Sequence, residues 1–309
     1  MTGILLNWSF KMKYEIDHNI LESLLTLASV IEARDVYTGG HTWRVSQYAS
    51  TITRKIGLSK DDIFLSSLGG MIHDIGKVGV PDAILNKKGP LDDHEYEIIK
   101  NHPKIGNTII EKHPLYDLVQ MSVNEHHERL DGKGYPSATT EQSIYGKIIS
   151  ISDAFDAMTS TRSYRKGMSK EKACELLSEG TETQFDKKLT EVVVTMSSVG
   201  DFDSIIGHAG ENKRMLPCPH CGPIVVPPDS LSSGGEVVCP NCMVHFVAHR
   251  EMDSFDLEYT EKKSAVYIPK SDNDCIIHFM GNFPKKIMSN CKESCKVGKK
   301  SYFSQHAES

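Results

Sequence analysis

The sequence predicts a mainly α chain: a bundle of helices over residues 14–200, a small β unit over 214–250 built on cysteines, and an irregular tail over 251–309. Three observations predict it. Apolar residues recur at helical spacing through the first two hundred positions. Two C-x-x-C pairs then appear among Pro, Gly and Ser, with short β-branched runs between them. Beyond residue 250 the pattern weakens.

The first helix lies in "ILESLLTLASVIEARD", where Leu21, Leu24, Leu25, Ala28 and Ile31 form one apolar stripe. After "YTGG" a second helix starts near His41, buries Val45, Tyr48, Ala49, Ile52 and Ile56, and stops at Gly57. Ser59 and Asp62 have the spacing of a capping box and open a third helix through Phe64, Leu68, Met71, Ile72 and Ile75, with His73 and Asp74 near its end. "VGVPDAILNKKGPL", with two Pro and two Gly, reads as a loop. Helical patterning returns on both sides of His102 and Pro103, and a further helix leads into the turn-prone "NEHHERLDGKGYPSATT". In "SIYGKIISISDAFDAMTS" the stripe is Ile144, Ile148, Ile151, Phe155 and Met158, with Asp153 and Asp156 off it.

Composition bounds the function. With 39% hydrophobic and 25% charged residues the 309-residue chain is an ordinary globular one, and no apolar run reaches the roughly 18–20 residues that span a bilayer. The N-terminus lacks the parts of a secretory signal, so a cytoplasmic location is expected. Four of the eight cysteines lie in C-x-x-C pairs, which in a reducing compartment favours metal over disulfide. The net charge of -6 makes nucleic acid an unexpected partner, although six lysines between Lys285 and Lys300 leave the tail locally basic.

Two divalent ions sharing one site need about eight ligand positions, with a carboxylate bridging them. Adjacent helical residues point about 100° apart, so His73 could bind one ion while Asp74 bridges to a second. His41 and Asp153 could complete the first ion, and His102, His126 and His127 the second. A lone histidine on a helix is more often a surface or hydrogen-bonded core residue than a ligand; the joint pattern is what points to a metal site. His18, His94, His113 and His208 have no such context.

The segments "RDVYTGGHTWRV", "HDIGKVGVPDAIL", "NHPKIG", "NEHHERLDGKGYP" and "DAFDAMTSTRSYRK", in this order, resemble the HD-GYP family of bacterial cyclic di-GMP phosphodiesterases within the HD superfamily. The resemblance runs over residues 15–190, with His73–Asp74 and Gly134–Tyr135–Pro136 intact. It implies an HD-type helical bundle with His41, His73, Asp74 and Asp153 on one metal, and Asp74, His102, His126 and His127 on the other. Iron or manganese is the expectation. Some members hold a third metal with a Glu four residues before the first His; Tyr37 stands there, which implies two ions.

The implied reaction is hydrolysis of cyclic di-GMP to pGpG and then GMP. A shared water, its pKa lowered from about 15.7 toward 7, would become the hydroxide that attacks phosphorus. Lys77, one turn after His73, would neutralise a phosphate oxygen or protonate the leaving group. Arg162 and Arg165 would grip phosphate. The loop with Gly134, Tyr135 and Pro136 would supply flexible backbone for a lip over the substrate or for docking a signalling protein.

Cys218, Cys221, Cys239 and Cys242 form C-x2-C-x17-C-x2-C, the pattern of a zinc ribbon around one structural zinc. Cys275, Cys291 and Cys295 read as unpaired. Two other readings stand beside the enzyme: a cyclic-dinucleotide-responsive module with little turnover that meets a partner through the loop or ribbon, and a hydrolase of another cyclic dinucleotide such as cyclic GMP-AMP.

Overall fold

The computed structural model describes residues 16–34, 39–87, 89–161, 166–211, 213–221, 224–227, 231–251 and 254–265, together with Ile276 and Phe279. Helix α1 (His18–Arg34) buries Leu21, Leu24, Leu25, Ala28 and Ile31, the stripe that its spacing predicts. Helix α2 (His41–Lys55) puts His41 on its first turn. Helix α3 (Lys60–Ile72) begins with the expected capping box: the Ser59 hydroxyl accepts the Asp62 N–H, and the Asp62 carboxylate accepts the Ser59 N–H. His73 caps its C-terminal end, and the chain then tightens into a 3-10 turn, Ile75–Gly79.

The predicted loop that follows contains one helical turn, α4 (Asp82–Leu85), because Pro81 sits just before it with a fixed backbone angle suited to a helix start. Helices α5 (Asp93–Ile99), α6 (His102–Ile110), α7 (Tyr116–Glu125), α8 (Ile144–Thr159), α9 (Lys170–Glu179) and α10 (Lys187–Ser198) complete the bundle. On α8 Ile148, Ile151 and Phe155 are buried, whereas Ile144 is largely exposed and Asp156 is buried. Ile144 lies on the opening turn, before the stripe enters the core.

An aromatic cluster fixes α2 against α8. The Tyr48 ring lies 5.3 Å from Phe155 and 5.1 Å from Phe202, and Phe155 lies 5.4 Å from Phe202, mostly edge to face. This packing sets the positions of His41 at the start of α2 and Asp153 along α8. No helix among the described residues is long and apolar enough to cross a membrane.

The C-terminal unit pairs β1 (Leu216–Pro217) with β2 (Ile224–Val225), and builds an antiparallel three-stranded sheet from β3 (Gly235–Val238), β4 (Val244–Glu251) and β5 (Ser254–Lys263). Strand β5 corrects the expected boundary at residue 250: Leu257 pairs with Ala248 and Tyr259 with Phe246, so the sheet continues into the segment read as irregular. The alternation of polar and apolar residues in "SFDLEYTEKK" is that of a half-buried strand. Further on, Ile276 and Phe279 are buried in the helical core, with Phe279 6.0 Å from the Phe64 ring.

The glycine of "HDIGK" sets how close α6 comes to the turn after α3. A Cβ at Gly76 would lie 1.8 Å from the His102 carbonyl oxygen and 2.4 Å from the Gly106 nitrogen. Gly76→Ala is expected to push α6 away and to lower stability by about 1–3 kcal/mol or more, measured as a fall in the urea midpoint; an unchanged midpoint would contradict this packing.

Candidate metal centre

All seven candidate ligands meet where the start of α2, the end of α3, the start of α6, the end of α7 and the middle of α8 converge. Asp74 lies at the centre. Its Oδ2 is 3.5 Å from His41 Nε2 and 3.3 Å from His73 Nε2, while its Oδ1 is 3.3 Å from His102 Nε2 and 4.0 Å from His126 Nε2. The two carboxylate oxygens thus face two different sets of imidazoles. Asp153 Oδ1 joins the first set, 3.4 Å from His41 Nε2 and 4.0 Å from His73 Nε2. His127 joins the second, its ring 4.2 Å from His126 and 5.0 Å from His102.

The histidines are oriented by what holds their other nitrogen. Nδ1 donates to the Gly70 carbonyl in His73 (2.9 Å), to the Ile99 carbonyl in His102 (2.8 Å) and to the Val123 carbonyl in His126 (2.9 Å). A carbonyl can only accept, so Nδ1 carries the proton and a neutral ring turns a bare Nε2 inward. The same arrangement orients metal-ligating histidines generally.

Two details test whether ions fit. His73 Nε2 is buried without a hydrogen-bond partner. His102 Nε2 and His126 Nε2 are 3.0 Å apart, and with both rings neutral two lone pairs face each other. A cation between such groups turns the repulsion into coordination, so the donor set fits divalent ions of the first transition row.

Burial opposes charge on Asp74, but the Lys77 ammonium and the surrounding imidazoles of His73, His102 and His41 outweigh it and hold the carboxyl well below its usual range. Burial likewise opposes a charged His41, yet hydrogen bonds to Asp156 and Asp74 and the charges of Asp156 and Asp153 lift it to about 9. Across the site, burial and then the neighbouring rings push His126 well down, and burial followed by His102 pushes His127 to about 3. Neutral imidazole is the form that binds metal, so His126 and His127 are ready for an ion, whereas an ion at His41 would displace the proton on its Nε2.

Lys77 sits with Nζ 2.7 Å from Asp74 Oδ2. A small cavity beside it is lined by Ala28, Ile31, His41, Met71, Asp74 and Ile75. Arg162 and Arg165 lie outside the described residues, as does Tyr37.

The GYP loop is braced by close packing and by hydrogen bonds. A Cβ at Gly134 would lie 2.5 Å from Arg129 N and from Glu128 Cα, so only glycine lets the loop fold back this closely. The Tyr135 N–H donates to the His127 carbonyl at 3.2 Å, and its ring stacks on His127 at 4.7 Å. Buried Glu128 accepts the N–H groups of Ser137 and Thr139 at 2.6 and 3.1 Å. The close approach at Gly134 therefore lets Tyr135 back His127, and Pro136 lies exposed on the loop.

Two buried residues of the centre were missed from sequence. Asp156 accepts the His41 Nδ1–H at 2.8 Å, and Arg44 donates to the same carboxylate at 2.6 and 3.1 Å. Burial raises the Asp156 carboxyl, but Arg44 and His41 together overturn this and keep it ionised. The available signal was two pairs at i,i+3, His41 with Arg44 and Asp153 with Asp156, each on one helix face.

The four C-x-x-C sulfurs also converge. Cys218 Sγ is 3.7 Å from Cys242 Sγ, and Cys221 Sγ is 3.5 Å from Cys239 Sγ. These gaps are too long for a disulfide and close to the ~3.8 Å edge of a tetrahedron with metal–sulfur bonds of about 2.3 Å.

The profile of the HD domain family matches residues 26–189, more than half of the chain. The chain belongs to the HD domain family. Its HD domain is similar to the 3'3'-cGAMP-specific phosphodiesterase 3 of Vibrio cholerae, 34% identical over 174 residues that make up 55% of this chain and 38% of that protein. The cyclic di-GMP phosphodiesterase response regulator RpfG of Xanthomonas campestris is 29% identical over 184 residues, 58% and 49% of the two chains. A cyclic di-GMP phosphodiesterase of Thermotoga maritima is 38% identical over 155 residues, 49% and 42%. The chain thus spans half or less of the length of these curated relatives. Among solved structures, a cyclic GMP-AMP phosphodiesterase of V. cholerae superposes with a TM-score of 0.43 at 17% identity, over 60% of this chain and 50% of that one.

Added manganese at about a hundred times its Kd is expected to raise the unfolding free energy by ~2.7 kcal/mol per site, and Asp74→Ala to abolish the gain. Asp156→Asn is expected to weaken metal binding about 10–100-fold, read by titration against a competing chelator; unchanged affinity would remove Asp156 from the account.

Proposed function

We propose that this chain is a metal-dependent phosphodiesterase that hydrolyses cyclic di-GMP to pGpG and, by a second cut, to GMP. The observation that carries the reading is the bridging posture of Asp74, with one oxygen toward each imidazole set. Iron or manganese suits a donor set of imidazole and carboxylate. When bound, two such ions supply positive charge for the phosphate and bring the pKa of water from about 15.7 toward 7.

The protein's own groups would do the rest. His41, His73 and Asp153 would fix one ion, and His102, His126 and His127 the other, with Asp74 shared. Lys77, beside Asp74 Oδ2 at the cavity, is suited to neutralise a phosphate oxygen or to give a proton to the departing 3'-oxygen. Arg162 and Arg165 belong to the proposal through the HD-GYP resemblance, as phosphate-binding guanidinium groups. Tyr135, stacked on His127, would face the substrate, while Gly134 and Pro136 shape the loop. Either that loop or the C-terminal unit would meet a signalling partner.

Cyclic GMP-AMP contains the same kind of phosphodiester, and relatives named for it stand beside those named for cyclic di-GMP. In the second unit, the four thiolates would hold a structural zinc, which supplies folding energy to so small a sheet.

Anaerobically purified protein, loaded with iron or manganese, is expected to convert cyclic di-GMP to pGpG and GMP on chromatography, and Asp74→Ala to do so only at background. Inactivity at full metal occupancy, with cyclic GMP-AMP assayed in parallel, would sink the reading. One tightly held zinc per chain is expected as well, lost in Cys239→Ser together with much of the stability of the β unit; retention of zinc would exclude this cysteine as a ligand.

A further inference from the structure

Beside the His102, His126 and His127 set, the end of α5 meets the GYP loop. Lys100 Nζ lies 5.6 Å from the centroid of the Tyr96 ring and 5.7 Å from that of Tyr135, and Tyr135 in turn stacks on His127. An exposed ring, an ammonium, a second ring and a candidate metal ligand follow one another from the surface to the centre. Tyr96 is 49% exposed, and α5 buries none of its residues. Neither side chain is there to fill the core. Lys100 also pairs with Glu97 at 2.8 Å, but Glu97 is exposed, and such a pair contributes little and exchanges partners readily.

We propose that Tyr96 and Lys100 form a binding subsite for the half of a cyclic dinucleotide that is not being cut, with a purine stacked on Tyr96 and the second phosphate paired with Lys100. This rests on the cyclic-dinucleotide reading above. The substrate carries two phosphates in one closed ring, so a phosphate held at the metal centre leaves the other to be bound outside it, on the side where Tyr135 links His127 to Lys100. A purine stacks on a tyrosine face whatever its hydrogen-bonding edge. The lysine, a compact charge on a flexible stem steadied by two rings, suits a phosphate that is gripped and later released. The subsite would confer preference for dinucleotides over simple diesters without reading one base against another.

Kinetics on the manganese-loaded full chain test it, with cyclic di-GMP and with methyl 4-nitrophenyl phosphate, a diester lacking both purine and second phosphate. Tyr96→Ala is expected to raise KM for cyclic di-GMP about tenfold with a smaller effect on kcat, and Tyr96→Phe to restore it. Lys100→Met is expected to raise KM and to flatten its dependence on salt. For both Tyr96→Ala and Lys100→Met the ratio of kcat/KM between the two substrates shifts away from cyclic di-GMP. The proposal is overturned if KM for cyclic di-GMP stays at the wild-type value in both, or if both substrates lose kcat/KM equally. Wild-type cleavage of methyl 4-nitrophenyl phosphate with cyclic di-GMP untouched overturns the cyclic-dinucleotide reading and the subsite with it, whereas an unchanged KM in active variants overturns the subsite alone. Cleavage of neither overturns the hydrolase reading, and the subsite with it.

Discussion

The carboxylate of Asp74 is the constraint on which the rest of the structure depends. It is buried, it is held ionised, and its two oxygens look toward two separate groups of imidazoles. A buried charge of this kind costs several kcal/mol unless paired and hydrogen-bonded. The fold meets that requirement by bringing five elements to one point. Each contributes a side chain from its end or from one face, and Gly76 and Gly134 let the backbones behind the ligands come into contact.

A second layer stiffens the first. Backbone carbonyls orient His73, His102 and His126, and Asp156 orients His41. Asp156 is itself held by Arg44, which is fully buried and also donates to the carbonyls of Gly39 and His208 at 2.9 and 2.8 Å. The Arg44 guanidinium lies 3.0 Å from Met215 Sδ as well. The segment that leads into the β unit is therefore tied to the start of α2 and, through one carboxylate, to His41. Order in that segment and the position of a candidate ligand are parts of one hydrogen-bonded chain.

Much of this was legible in the sequence, for identifiable reasons. The ligand residues stand in short segments whose order carries the resemblance, and the capping box and the C-x-x-C knuckles are local patterns that act over a few residues. What remained hidden depends on contacts between distant segments. Asp156 and Arg44 share a helix face with Asp153 and His41, but that they are partners of each other across α2 and α8 is shown by the packing of those helices. Strand β5 does carry an alternation, Phe255, Leu257 and Tyr259, but a single short run without a partner in sequence does not identify the strand it pairs with, and the buried positions of Ile276 and Phe279 follow from long-range packing that periodicity does not register. Gly and Pro mark the GYP segment as a turn; the hydrogen bonds that pin it come from Glu128, in a neighbouring turn.

The central claim is that one carboxylate joins two metal sites. Anomalous diffraction from crystals of the manganese-loaded protein tests it most directly. The account predicts two peaks flanking Asp74, one on the side of His41, His73 and Asp153, the other on the side of His102, His126 and His127, with one Asp74 oxygen bound to each. A single peak, or two peaks that Asp74 does not join, would contradict it.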